Sequence, residues 1–119
     1  MFKFEKLEVW KKAILFADNI YSATRSFPNY EKYGLSNQMR RAAVSVASNI
    51  AEGSSRSSDL DFARFIEIAY GSLLETVSEA EIAKRQEFLS DDNFAIIYKR
   101  AEELGKMLSG IKKKLRAES

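Results

Sequence analysis

Apolar residues recur at three- and four-residue spacing in four stretches of the chain, separated by short polar or glycine-bearing joints. That period predicts amphipathic helices. In the first stretch, about Leu7 to Ser26, Leu7, Trp10, Ala13, Ile14, Ala17, Ile20, Tyr21 and Thr24 share one helical face, and Lys11, Lys12, Asp18, Asn19 and Arg25 fall elsewhere. Phe27-Pro28 ends it, because proline disfavours helical backbone at the residue before it. Asn29 to Gly34 then reads as a connector. The second helix is expected from Leu35 or Ser36 to Glu52, with Gly53 as its stop. Met39, Ala42, Ala43, Val46 and Ile50 form one face; Val44, Ala47 and Ala51, with Arg40 at the start, form a second. Gln38, Arg41, Ser45, Ser48, Asn49 and Glu52 make a polar third face. An apolar arc this wide exceeds one bundle interface, so burial on two sides is expected.

Ser58 is the expected N-cap of the third helix, with Asp59 and Asp61 where the helix dipole favours negative charge. The pattern continues to about Glu87 along a stripe of Phe62, Phe65, Ile66, Ala69, Leu73, Thr76, Val77, Ala80 and Ala83. Tyr70 and Leu74, with Ala63, form a second strip beside it. Gly71 lies mid-helix, where glycine costs up to about 1 kcal/mol relative to alanine. A tight crossing by a neighbouring helix is the expected reason. Ser90, followed by Asp91 and Asp92, opens the fourth helix, whose core stripe is Phe94, Ile97, Tyr98, Ala101, Leu104, Leu108, Ile111 and Leu115. Lys112, Lys113, Lys114 and Arg116 suit its C-terminal dipole end. Short joints make successive helices antiparallel neighbours. The expected fold is all-α: a single up-down-up-down antiparallel four-helix bundle over residues 1–119.

Composition narrows the chemistry. The 119 residues contain no cysteine and no histidine. This removes disulfides, thiolate nucleophiles, Cys/His zinc sites, Ser-His-Asp triads and di-iron sites built on Glu-x-x-His. No cofactor is expected. The longest apolar runs, Ala13 to Ala17 and Phe94 to Tyr98, fall far short of the roughly 20 residues that a membrane span needs. The opening MFKFEKLEVWKK is charged throughout and lacks the apolar region of a signal peptide, so a cytoplasmic location is expected. Net charge is only +2, but it is unevenly divided: residues 58–89 hold three cations and seven anions.

Three constellations are candidates for function. Glu75 and Glu79 are four apart and share a helical face, as a metal or acid–base pair would. Without histidine, the structural reading is preferred: Arg40 or Arg41 pairs with one of these acids across an antiparallel interface. No catalytic residue and no metal ligand is assigned. Lys99, Lys106 and Lys113 are spaced by seven and line one face of the fourth helix, away from its core stripe. They form either a solvated face or a phosphate-binding row. Finally, Leu15, Ile68, Ile96 and Met107 lie off their core stripes, and with the second face of helix two they point to self-association. The same wide apolar face leaves a second class of function open, a scaffold that recruits a protein partner and touches no nucleic acid.

The runs FPNYEKYGL (Phe27 to Leu35) and QMRRAAVSVASNIAEGSSR (Gln38 to Arg56) carry a resemblance, supported by LEVWKKA (Leu7 to Ala13) and AYGSLLE (Ala69 to Glu75). They closely resemble the proteins encoded within intervening sequences of bacterial 23S ribosomal RNA genes, often labelled small-subunit ribosomal proteins. The resemblance implies an up-down four-helix bundle and a ring-like homopentamer. It also extends to the accessory variability determinant of diversity-generating retroelements, which binds nucleic acid and a reverse transcriptase through basic surfaces of its pentamer. Association with ribosomal or other structured RNA is therefore the expectation, with Arg40, Arg41, Lys99, Lys106 and Lys113 as phosphate contacts. Arg40, Arg41, Asn49, Glu52, Gly53 and Arg56 match the family pattern, and Gly71 and Glu75 are expected to act structurally. Ala47 departs from the pattern, since many members carry proline there.

Overall fold

In a computed structural model describing residues 1–119, four helices carry the chain: α1 (Glu8–Thr24), α2 (Leu35–Ser54), α3 (Asp59–Arg85) and α4 (Asp91–Glu118). Single 3-10 turns at Lys3–Lys6 and Asn29–Glu31 precede α1 and α2. Helix starts follow the local chemistry. The Ser58 and Ser90 hydroxyls accept the Asp61 and Asn93 amides, each at 3.1 Å, satisfying N–H groups the helix itself leaves free. At α2 the N-cap is Gly34, which has no side chain to offer; instead the Glu31 carboxylate accepts the Leu35 amide at 2.9 Å.

Two helix ends differ from expectation. Helix α2 does not stop at Gly53 but runs through it to Ser54. Gly53 is buried, and a Cβ there would meet Phe65 Cβ at 2.6 Å and Phe62 Cδ1 at 2.9 Å. Its lack of a side chain serves packing against α3 rather than a left-handed cap. Helix α3 ends at Arg85, two residues early, and the left-handed residue after it is Glu87, at φ 64°. The amides of Glu87 and Phe88 donate to the carbonyls of Lys84 (3.0 Å) and Ala83 (2.9 Å), the paired bonds of a Schellman motif built without glycine.

The bundle measures 46 × 22 × 20 Å. Helix α1 packs on α2 and α4, and α3 packs on the same two, while the backbones of the diagonal pairs lie farther apart. The core stripes of α2 and α4 lie largely as expected: Met39, Ala43, Val46, Ile50, Ile97, Leu104 and Leu108 are all buried. The stripe of α1 is rotated. Val9, Phe16 and Ile20 are buried with Ala13, whereas Ile14 and Tyr21 are exposed. Both sets have helical period, and the position of Phe16 against the other helices decides between them. The second apolar face of α2 shrinks as well: Ala47 is buried within the bundle and Ala51 is half-buried, leaving Val44 exposed.

Gly71 marks no crossing. Nothing lies within 4 Å of a Cβ built there, and the residue is exposed. The glycine that does face a neighbouring helix on this side is Gly105 of α4, opposite Tyr70 and Leu73.

Candidate functional site

The motif at the end of α2 builds a corner. Asn49 donates through Nδ2 to the Ser45 carbonyl (2.8 Å) and hydroxyl (3.0 Å), and the Ser45 and Ser72 hydroxyls meet at 2.9 Å across the α2–α3 interface. After the turn, the Arg56 guanidinium lies over the Phe65 ring, 4.5 Å from its centroid, and reaches Glu52 at 3.7 Å and Asp61 at 3.9 Å. Glu52, Gly53 and Arg56 thus join the end of α2 to the start of α3, and Asn49 braces Ser45, which meets the middle of α3. Their partners all belong to the bundle.

The expected pairing of Arg40 or Arg41 with Glu75 or Glu79 does not form. Arg40 turns toward α1: Nε donates to Thr24 Oγ1 at 2.8 Å, and the guanidinium stacks 4.8 Å from the Tyr21 ring centroid. Thr24 is buried and already donates to the Ile20 carbonyl, so its oxygen is oriented to accept. Arg41 stays exposed, lining a polar cleft with Asn37, Gln38, Ser45, Ser72 and Glu75. Glu79 is 8% exposed, and its Oε1 has no hydrogen-bond partner. Burial, reinforced by the charge of Glu75, pushes its carboxyl up from 4.5 to about 7.

The lysine row does form. Lys99, Lys106 and Lys113 are exposed, and none makes an ion pair. Near the end of α4 Lys114 is unpaired too, whereas two other cations are held by α3. Arg116 reaches Glu67 of α3 at 2.7 Å, and Lys112 approaches the same carboxylate at 3.9 Å. Lys106 also lines a cleft of about 470 Å³ between α3 and α4, with Tyr70, Leu74, Tyr98, Glu102 and Ser109 around it.

Arg40 and Arg41 share a different cleft, with Tyr21, Val44 and Ser48. The five expected phosphate contacts therefore occupy two sites. Because α1/α2 and α3/α4 are opposite sides of the bundle, one chain does not merge them into a single basic surface. Spacing along the chain exposed the lysine row; it assigned Tyr98 to the core stripe of the fourth helix and Tyr70 to a second apolar strip of the third. Tyr98 is in fact 46% exposed.

The chain matches a known family. The family model described as 23S rRNA-intervening sequence protein matches residues 5–110. The chain belongs to that family. Among solved structures, the 23S rRNA-intervening sequence fold is similar to a protein of unknown function from the S23 ribosomal protein family of Bacteroides thetaiotaomicron VPI-5482. The two chains are 27% identical, with a TM-score of 0.79 over 88% of this chain and 98% of the other. No curated protein matches the chain. Within this family member, no helix is long and apolar enough to cross a membrane, and no group of three or more His, Cys, Asp or Glu residues is placed to hold a metal ion.

Proposed function

We propose that the protein is a non-enzymatic, self-associating helical bundle of the cytoplasm that binds structured RNA, ribosomal RNA first, through phosphate contacts. The observation that carries this reading is the row of exposed lysines at 99, 106 and 113, unpaired although acidic residues stand nearby in sequence. Unpaired cations release no intramolecular partner on meeting a phosphate, so their full charge is available to displace counterions from RNA. Arg41 adds a second basic point on the opposite side, and Arg40 presents what its bond to Thr24 leaves free.

Self-association supplies what one chain lacks. A net charge of +2 makes a weak field, but repeated copies bring several lysine rows to one nucleic acid. The exposed Ile14, Leu15, Val44, Ile68 and Ile96 provide apolar surface for contacts between copies. The family resemblance makes five copies the expected number.

Two measurements test the reading. Native mass in solution is expected near five times 13.5 kDa; a mass of one chain refutes self-association. Filter binding to 23S ribosomal RNA fragments at rising salt is expected to show affinity falling steeply as salt increases. No binding at low salt, or binding indifferent to salt, refutes phosphate recognition.

A further inference from the structure

The cleft between α3 and α4 has features that a solvated lysine row does not require. Its volume of about 470 Å³ lies in the range of small-ligand sites. Gly105 is buried in its floor, where a Cβ would sit at ordinary contact distance, 3.5 Å from Tyr70 Cε2 and 3.6 Å from Leu73 Cδ2. Two aromatic rings, Tyr70 and Tyr98, line the cleft with Leu74. Leu74 is 54% exposed and Tyr98 46%, so the bundle leaves much of this apolar surface to water. The Tyr98 ring packs against Phe94, one turn earlier on α4, with 5.9 Å between centroids. Lys106, Glu102 and Ser109 supply polar groups in the same lining.

We propose that this cleft accepts an unpaired RNA base, stacked on the tyrosines, while the flanking phosphates follow the lysine row. The proposal rests on the RNA-binding reading above and names the form of RNA taken. Aromatic platforms beside a positive track are how single-stranded nucleic acid is held without a duplex groove. From Lys99 to Lys113 the track spans about 21 Å along the helix, enough for several nucleotides. The cleft lies at its middle, where Lys106 belongs to both.

An apolar helix from another protein would cover Leu74 but leave Lys106 and Glu102 without a use. A nucleotide uses both. The Glu102 carboxylate accepts hydrogen bonds from the amino edge of cytosine, adenine or guanine. Uracil turns carbonyl oxygens to either side of its single N–H, and these repel a carboxylate. Cytosine is therefore favoured over uracil by the same cleft.

The test uses the full chain and fluorescence anisotropy with labelled oligonucleotides: a mixed single-stranded RNA, its duplex, oligocytidine and oligouridine. Tyr98→Ala is expected to weaken single-strand binding about tenfold. Duplex binding is unchanged by that variant, and Tyr98→Phe, which keeps the ring, retains single-strand affinity. Wild-type protein binds oligocytidine more tightly than oligouridine. Equal losses on single strand and duplex, no loss with Tyr98→Ala, or equal affinity for the two homopolymers overturns the base site while RNA binding itself stands. A change of native mass in Tyr98→Ala assigns the cleft to contacts between copies and also overturns it. Failure of the wild-type chain to bind any of the four overturns the RNA reading as well.

Discussion

Helix α3 meets its two neighbours in opposite ways. Toward α2 the contact is close. Gly53 lies so near Phe62 and Phe65 that a methyl group has no room, and Ser45 and Ser72 meet at 2.9 Å. Toward α4 the helices leave a cleft of about 470 Å³, with Gly105 at its floor and much of Tyr98 and Leu74 open to water. Each interface contains a buried glycine, but the two have different effects. Gly53 lets two helices approach, while Gly105 faces Tyr70 and Leu73 at a distance that a methyl group could also fill. The α2 side has the closest approach and a polar cleft at Ser72 and Glu75, and the α4 side has the exposed apolar surface.

The sharpest way to break this comparison is to add bulk on the close side. Gly53→Leu is expected to cost about 3 kcal/mol or more, because the nearest atom is the Cβ of Phe65 and cannot swing away without backbone movement. Urea unfolding measures it; a loss below about 1 kcal/mol refutes the close contact.

Glu79 probes the same side through pH. Its carboxyl titrates at about 7 instead of 4.5, so folding favours the protonated form. The stability this group contributes is fully present below about pH 4.5, declines as pH rises, and is lost above about 7. The whole change is of order 3 kcal/mol. Glu79→Gln is therefore expected to stabilise the protein at pH 8 by up to about 3 kcal/mol and to do little at pH 4. Urea midpoints at the two pH values decide; an effect independent of pH removes burial as the cause.

The smallest effect should come from the remaining glycines. With open space around it, Gly71→Ala gains helix propensity and stabilises by up to about 1 kcal/mol. Gly105→Ala brings a methyl only to ordinary contact distance, so the loss seen at Gly53 should not recur there. Thermal unfolding of the pair checks both, and a destabilising Gly71→Ala would restore the tight crossing.

Much of the fold was legible before any coordinates. Ser58 and Ser90 announced helix starts by chemistry that acts within one turn, and Pro28 marked a joint by sterics that act on one residue. The errors came where two local solutions were equally good. In α1, the stripe through Ile14 and Tyr21 and the stripe through Val9 and Phe16 have the same period, and only the neighbouring helices select the second. Glu87 carries no mark of the left-handed conformation it adopts, so the end of α3 could not be read. The lysine row was legible because its residues share one helix. Tyr70 was not recognised beside it, since its proximity is made by packing between α3 and α4, and Tyr98, on the same helix as the row, was assigned to the core although it is exposed.

Sequence alone therefore determined four helices, most of their boundaries, the core faces of α2 and α4, and the exclusion of cysteine and histidine chemistry. These depend on residue type, capping and period, which operate within a few residues of the chain. Tertiary structure decided which glycine is close-packed, which carboxylate is buried, which partner Arg40 takes and that Tyr70 borders the cleft at Lys106. Each of those depends on distances between residues far apart in sequence, and side-chain packing sets such distances only when the helices come together.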